Sequence, residues 1–153
     1  MIIVGINVSK ETLVGVVIDR STKVKVSFSI PNTQEAIKQL FDSFQKKYRR
    51  FQVTCEATAE YHRTLAQVCL DRDITMRLLN PITTRQFTRA TVRKRKTDQT
   101  DAVIIAKLGL QNEGRKVTAQ LLEATKPVAR TATKLVAVQQ QLLLMESVKY
   151  PFV

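Results

Sequence analysis

At 153 residues, with 44% hydrophobic and 25% charged side chains, the chain is long enough for one core-forming domain and too apolar for disorder along its whole length. Four glycines and four prolines exclude collagen-like and low-complexity classes, and no apolar run approaches the roughly 18 residues that mark a membrane span. The 25 Lys plus Arg against 13 Asp plus Glu give a formal charge of +12, which favours a polyanion as partner, nucleic acid ahead of an anionic membrane surface.

The opening, Met1-Ile2-Ile3-Val4, lacks the basic start of a signal peptide, so a cytoplasmic protein is expected. Residues 2–8 form a nearly continuous apolar run, the pattern of a strand covered on both faces. After the polar turn Ser9-Lys10-Glu11, residues 12–19 are apolar again and close a hairpin. Residues 23–30 alternate, with Val24, Val26, Phe28 and Ile30 on one side and Lys23, Lys25, Ser27 and Ser29 on the other. That is a half-exposed edge strand whose lysines oppose edge-to-edge pairing. Pro31-Asn32-Thr33 starts a helix capped by Asn32 or Thr33, with Ile37, Leu40, Phe41 and Phe44 at helical spacing through about residue 47. Residues 51–56 make a fourth strand, residues 60–70 a helix, and residues 74–79 a fifth strand ended by Asn80-Pro81. Strands joined through helices pair in parallel by right-handed crossovers. The expected fold is α/β, a mixed five-stranded sheet with flanking helices.

From residue 81 the texture changes. Residues 82–92 suit a helix, Arg93-Lys94-Arg95-Lys96 is a run of cations, and Asp98 opens another helix that ends near Gly114. After Pro127, residues Val128, Leu135, Val138, Leu142 and Met145 fall at a/d spacing, with Thr131 the polar exception. They suit a C-terminal helical arm resembling the start of a coiled coil, and equally a final helix packed on the domain. The expected division is a domain over 1–114 and a linker with helical arm over 115–153.

Three kinds of residue bear on chemistry. Cys55 and Cys69, inside apolar patterns, form no metal motif and are expected to be buried thiols, and the single histidine, His62, cannot build a zinc site alone. Glu56 ends the fourth strand, Asp98 and Asp101 lie three apart at a helix start, and Asn7 ends the first strand. If strands one and four are parallel neighbours, their carboxyl ends bring Asn7 beside Glu56, where open α/β sheets build sites. Three carboxylates and an amide there form an oxygen cluster suited to Mg²⁺ or Mn²⁺, and two such ions clamp both oxygens of a phosphodiester transfer. Each residue also has a plain structural use: Asp98 as an N-cap, Asp101 as a first-turn acid, Glu56 as a strand-end carboxylate and Asn7 as a turn residue. Between Asp73 and Asp98 there is no acid but seven cations. Of these Arg85, Arg89 and Arg93 recur every four residues and lead into Lys94, Arg95 and Lys96, a stripe suited to phosphates.

Four blocks together resemble a known family. Gly5-Ile6-Asn7-Val8-Ser9-Lys10-Glu11-Thr12-Leu13 is similar to "G-I-D-V-S-K-x-x-L", and Glu56-Ala57-Thr58-Ala59-Glu60-Tyr61-His62 to "E-A-T-G-x-Y-H". Asn80-Pro81 with Arg85, Phe87 and Arg89 resembles "N-P-x-x-x-R-x-F-x-R", and Lys96-Thr97-Asp98-Gln99-Thr100-Asp101-Ala102 resembles "K-T-D-x-x-D-A". These are blocks of the Asp-Glu-Asp-Asp (DEDD) transposases of the insertion-sequence one-ten type, relatives of the pilin-gene invertase. The resemblance implies an RNase H/RuvC-like fold and a Mg²⁺-dependent DNA transposase or recombinase site whose acids fall on Asn7, Glu56, Asp98 and Asp101. It further implies a coiled coil and a second domain with a nucleophilic serine, and in some members a structured guide RNA.

Two departures shape the expectation. Position 7 is Asn where the family block has Asp, so one ligand charge is lost. The sequence given ends at Val153, before any serine domain. The leading expectation is therefore the catalytic domain of such a transposase, binding DNA or RNA and impaired in chemistry, homo-oligomeric through its arm, with no membrane partner. The alternative is a shortened, non-catalytic nucleic-acid-binding regulator that pairs with full-length transposase. An actin-like or sugar-kinase half shares the opening meander but lacks a glycine-rich phosphate loop here.

Overall fold

The computed structural model of this chain describes residues 1–91 and 97–125, and the side chains of all of these except 88–91. The expected helical arm over 127–148 and the run Arg93–Lys96 lie outside the described residues, as does the side chain of Arg89. Residue contacts divide the chain into one compact unit, Met1–Leu122, and a second, Glu123–Val153. Among the described residues, every strand belongs to the first unit.

Three strands open it: β1 (Ile3–Val8), β2 (Thr12–Ile18) and β3 (Val24–Pro31), paired antiparallel as a meander. Helix α1 (Gln34–Tyr48) leads to β4 (Gln52–Glu56), α2 (Arg63–Asp71) and β5 (Met76–Leu79). β4 lies parallel to β1 and β5 parallel to β4. Helices α3 (Pro81–Thr91) and α4 (Asp98–Leu110) follow, then a two-residue strand β6 (Arg115–Lys116) antiparallel to β5, and α5 (Ala119–Ala124). The sheet order is β3-β2-β1-β4-β5-β6, six strands where the sequence reading expects five. The sixth escapes that reading because two exposed cations carry no apolar alternation. It is held by the backbone bond from Val117 N to Met76 O at 2.8 Å and by Arg77 Nη1 donating to Gly114 O at 2.9 Å. On β3 the alternation appears as expected at Val26, Phe28 and Ile30, but Val24 is exposed. A register shift at Val17/Ile18 turns it off the core side.

Period-2 alternation assigns the strand residues to two faces. Val4, Ile6 and Val8 of β1, Val53 and Cys55 of β4 and Met76 of β5 pack with Ile37 and Phe41 of α1 and Leu65, Ala66 and Cys69 of α2. The opposite face carries Ile3, Gly5 and Asn7, Thr54 and Glu56, and it meets α4 through Ala102 and Ala106. Leu79 joins Ile105, Leu108 and the half-buried Phe87 of α3 on that side. Asn7, next to last in β1, and Glu56, last in β4, thus lie at the carboxyl ends of two adjacent parallel strands on the face that α4 covers. Among the described residues no helix is long and apolar enough to cross a membrane.

Candidate functional site

The site begins with the close approach of α4 to β1. A Cβ built on Gly5 would lie 2.5 Å from Ala102 O and 2.6 Å from Ala106 Cβ. One on Gly109 would lie 2.3 Å from Thr54 Oγ1. Real side chains cannot come that near, so glycine at both positions is what lets the helix lie against the strands. The first turn of α4 then reaches the carboxyl end of β1, where Asn7 Nδ2 donates to Asp98 Oδ1 at 3.1 Å.

Asp98 is available for that contact because it does not cap its own helix. Thr97 is the cap: its Oγ1 accepts from Thr100 N at 3.0 Å, and Thr100 Oγ1 accepts from Thr97 N at 2.8 Å. This reciprocal capping box satisfies the first-turn donors without the aspartate and replaces the sequence expectation of Asp98 as the cap. Asp98 and Asp101 remain as the two acids of the first turn, three apart on one side of the helix, with Asp101 half-buried. Along the β1–β4 ladder the last register pair is Ile6 with Cys55, so the next positions are Asn7 and the half-buried Glu56. The structure joins Asn7 to Asp98 directly. It sets Glu56 at the neighbouring strand end on the same face and Asp101 one helical turn from the contact. Arg85, exposed on α3, is the one member of the basic stripe whose side chain is described.

A divalent cation needs several oxygen ligands with enough charge to replace its hydration. The donor set does not meet that need as it stands. Position 7 contributes a neutral amide whose N–H₂ faces Asp98. Among the described residues, no three carboxylate, imidazole or thiol side chains lie grouped as metal ligands.

Other chemistry-bearing groups are held inert. Burial pushes the Cys55 thiol well above its ordinary range and the Cys69 thiol up to about 12, so neither supplies a thiolate. Burial, and then the charge of Arg63, lowers His62, which is neutral at pH 7.

By sequence Asn32 is a candidate helix cap and nothing more, yet Thr33 takes that place, accepting from Ala36 N. Asn32 Nδ2 instead donates to Ser9 O and to Tyr61 O, both at 3.0 Å. It thereby ties the β1–β2 turn to the loop after Glu56. An Asn-Thr pair before a helix is the only sequence signal, and it does not separate a cap from a tie. On the β3 side, Gln99 Nε2 donates to Ser27 Oγ at 2.6 Å and braces the first turn of α4.

Comparison with known proteins bears on the family and the fold. The profile of the DEDD transposases of the insertion-sequence one-ten type, described as a transposase, matches residues 4–143. The chain belongs to that transposase family. Among solved structures it is similar to Thermus thermophilus RuvC in complex with a Holliday junction substrate, and to another Thermus thermophilus RuvC structure. Both have 11% identity and a TM-score of 0.55, over 76% of this chain and 99% and 100% of the RuvC chains. At that identity the likeness establishes the fold, which is RuvC-like. No curated protein matches.

Proposed function

We propose that this chain is the nucleic-acid-binding, RuvC-like domain of a DNA transposase in which metal-dependent phosphodiester transfer is impaired at position 7. The observation that carries the reading is the Asn7–Asp98 hydrogen bond of 3.1 Å. In the family pattern a carboxylate stands at position 7, and Glu56, Asp98 and Asp101 complete the set. Here the amide occupies a lone pair of Asp98 and brings no negative charge. A Mg²⁺ or Mn²⁺ ion would have to displace that donor while gaining one charge fewer in return for its lost water.

Under this reading the cations beside the acids hold a backbone that the impaired acid set does not cut. Arg85, with Arg89, Arg93, Lys94, Arg95 and Lys96, supplies the phosphate contacts. Six contacts to duplex DNA give a slope of log K against log salt of about −5, and three or four give about −3. DNA is the proposed partner, as a Holliday junction is for the similar RuvC. A structured guide RNA, self-association through residues 127–148 and a cytoplasmic location belong to the same proposal.

Exchange of Asn7 for Asp tests it. Without metal, Asn7→Asp lowers the melting temperature, because a second carboxylate faces Asp98 in place of a donor. With Mn²⁺ at about one hundred times Kd, the variant gains about 2.7 kcal/mol, and wild type at the same concentration gains much less. An identical metal response in both proteins overturns the shared site. The same hydrogen bond also favours the second reading, a non-catalytic regulator. Asn7→Asp protein that binds metal yet cleaves no branched DNA in the presence of Mn²⁺ decides for that reading.

A further inference from the structure

The end of the sheet remote from Asn7 carries a second concentration of cations that the basic stripe does not include. The last turn of α1 and the link to β4 read Lys46-Lys47-Tyr48-Arg49-Arg50. All four cations are exposed, and among the described residues none of them makes an ion pair. Arg49 and Arg50 border a cleft of about 560 Å³ at the amino ends of β1, β4 and β5, lined also by Tyr48, Ile2, Gln52 and Thr75, while Lys46 and Lys47 precede them on the last turn of α1. Arg72 also lines it but is neutralised, with Nη1 on Asp42 Oδ1 at 2.6 Å and on Gln45 Oε1 at 3.2 Å. Asp73 is the one acid in the lining.

Two details set this cleft apart from an ordinary solvated charge run. Arg49 sits at φ 64, ψ −60, and Arg50 N donates to Tyr48 O, which together describe a γ-turn of the rare positive-φ form. That conformation is strained for a residue with a Cβ, and the position just past a helix is where glycine would be free of cost. A guanidinium is kept there instead. Beside it Tyr48 Oη is buried with no hydrogen-bond partner among the described residues, and Lys47 Nζ stands 5.5 Å from the centroid of the same ring.

We infer that this cleft is a second nucleic-acid site, which takes a phosphodiester backbone on Arg49 and Arg50, with Lys46 and Lys47 adding positive charge from the adjoining turn of α1. The inference rests on the nucleic-acid reading above and extends it to a separate surface. Ile2 and Asn7 are five strand residues apart, about 17 Å at 3.3 Å per residue. Phosphates held at the cleft are therefore not those presented to the carboxyl end. The chain engages two segments at once, one at each end of its sheet. Arginines and lysines without a base-reading groove hold a backbone and read no sequence.

The test is a binding titration of the full chain against a DNA duplex and an RNA hairpin of equal length, over a range of salt. Arg49→Gly/Arg50→Ser removes two cations and relieves the strained φ. It raises the melting temperature by about 3 °C, so weaker binding is not loss of fold. At about 0.1 M salt the double variant binds at least roughly tenfold more weakly, and its salt slope flattens by about 2, near 0.9 per lost contact. Whether the loss is larger on DNA or on RNA identifies which backbone the cleft holds. A variant that binds both probes like wild type overturns the cleft. If Arg93→Ala/Lys94→Ala/Arg95→Ala/Lys96→Ala protein loses affinity in that same experiment, the nucleic-acid reading stands without the cleft. Wild type that binds neither probe at low salt overturns both.

Discussion

The two faces of the sheet are packed by opposite means. Toward α1 and α2 the interior is filled by volume. Phe28, Phe41, Phe44 and Phe51 meet edge to face at centroid distances of 5.4–5.7 Å, over β-branched and leucine side chains. Toward α4 it is closed by smallness, with Gly5, Ala102, Ala106 and Gly109 at the contact. The first face has bulk to lose and stores most of the burial. The second has no slack, and its closeness sets where Asp98 falls relative to Asn7. Stability and site geometry therefore depend on different residues, and substitutions should separate them.

Phe41→Ala tests the volume side and carries the largest effect. Phe41 is fully buried, and its truncation costs about 3–5 kcal/mol. Urea denaturation measures the loss. The side-chain amide signals of Asn7 in a ¹H–¹⁵N spectrum of the remaining folded protein stay in place, since the cavity lies on the other face. Movement of those signals would mean that the two faces do not act separately.

Gly5→Ala tests the close side. Its methyl would meet Ala102 O and Ala106, so α4 must retreat, at a cost of about 1–3 kcal/mol. Here the smaller loss of stability comes with a shift of the Asn7 amide signals, because Asp98 moves with its helix. A variant as stable as wild type with unshifted signals would show that close packing does not set the contact.

The volume side is the more legible in sequence. Unbroken apolar runs at β1 and β2 and the spacing of Ile37, Phe41 and Phe44 report burial directly. The parallel pairing of β1 with β4 follows from the intervening helix, and with it the common end of Asn7 and Glu56. The close side is less legible. Gly5 sits in an apolar run where its missing side chain says nothing about what lies above it. Thr97 and Asp98 are both good caps by type, and only backbone geometry shows that the threonine caps and the aspartate is left for Asn7. The Lys46–Arg50 run resembles the ordinary preference for cations in a last helical turn. Its exceptional feature, the positive φ of Arg49, has no sequence signature. Strand β6 is invisible to pattern because hydrogen bonding alone defines it.

The smallest predicted effect has the opposite sign and concerns the loop that crosses from one face to the other. Residues 57–62 leave Glu56 on the α4 side and enter α2 on the aromatic side. Within it Ala59 adopts φ 49. The family block carries glycine at this place, and alanine pays for its Cβ there. A left-handed conformation costs a residue with a side chain roughly 1–2 kcal/mol. Glycine avoids that cost but gives the unfolded chain more freedom, which takes back about 0.4–1 kcal/mol. The conformational cost is the larger of the two, so Ala59→Gly gains about 0.5–1 kcal/mol, or about 1–4 °C in melting temperature. The loop remains tied through Tyr61 O to Asn32, so the Asn7 amide signals and the metal response of Asn7→Asp protein are unchanged by the added glycine. A lower melting temperature for Ala59→Gly would mean that freedom in the unfolded chain outweighs relief at residue 59. Site geometry would then owe its order to a stiff crossing loop as well as to the close packing of α4.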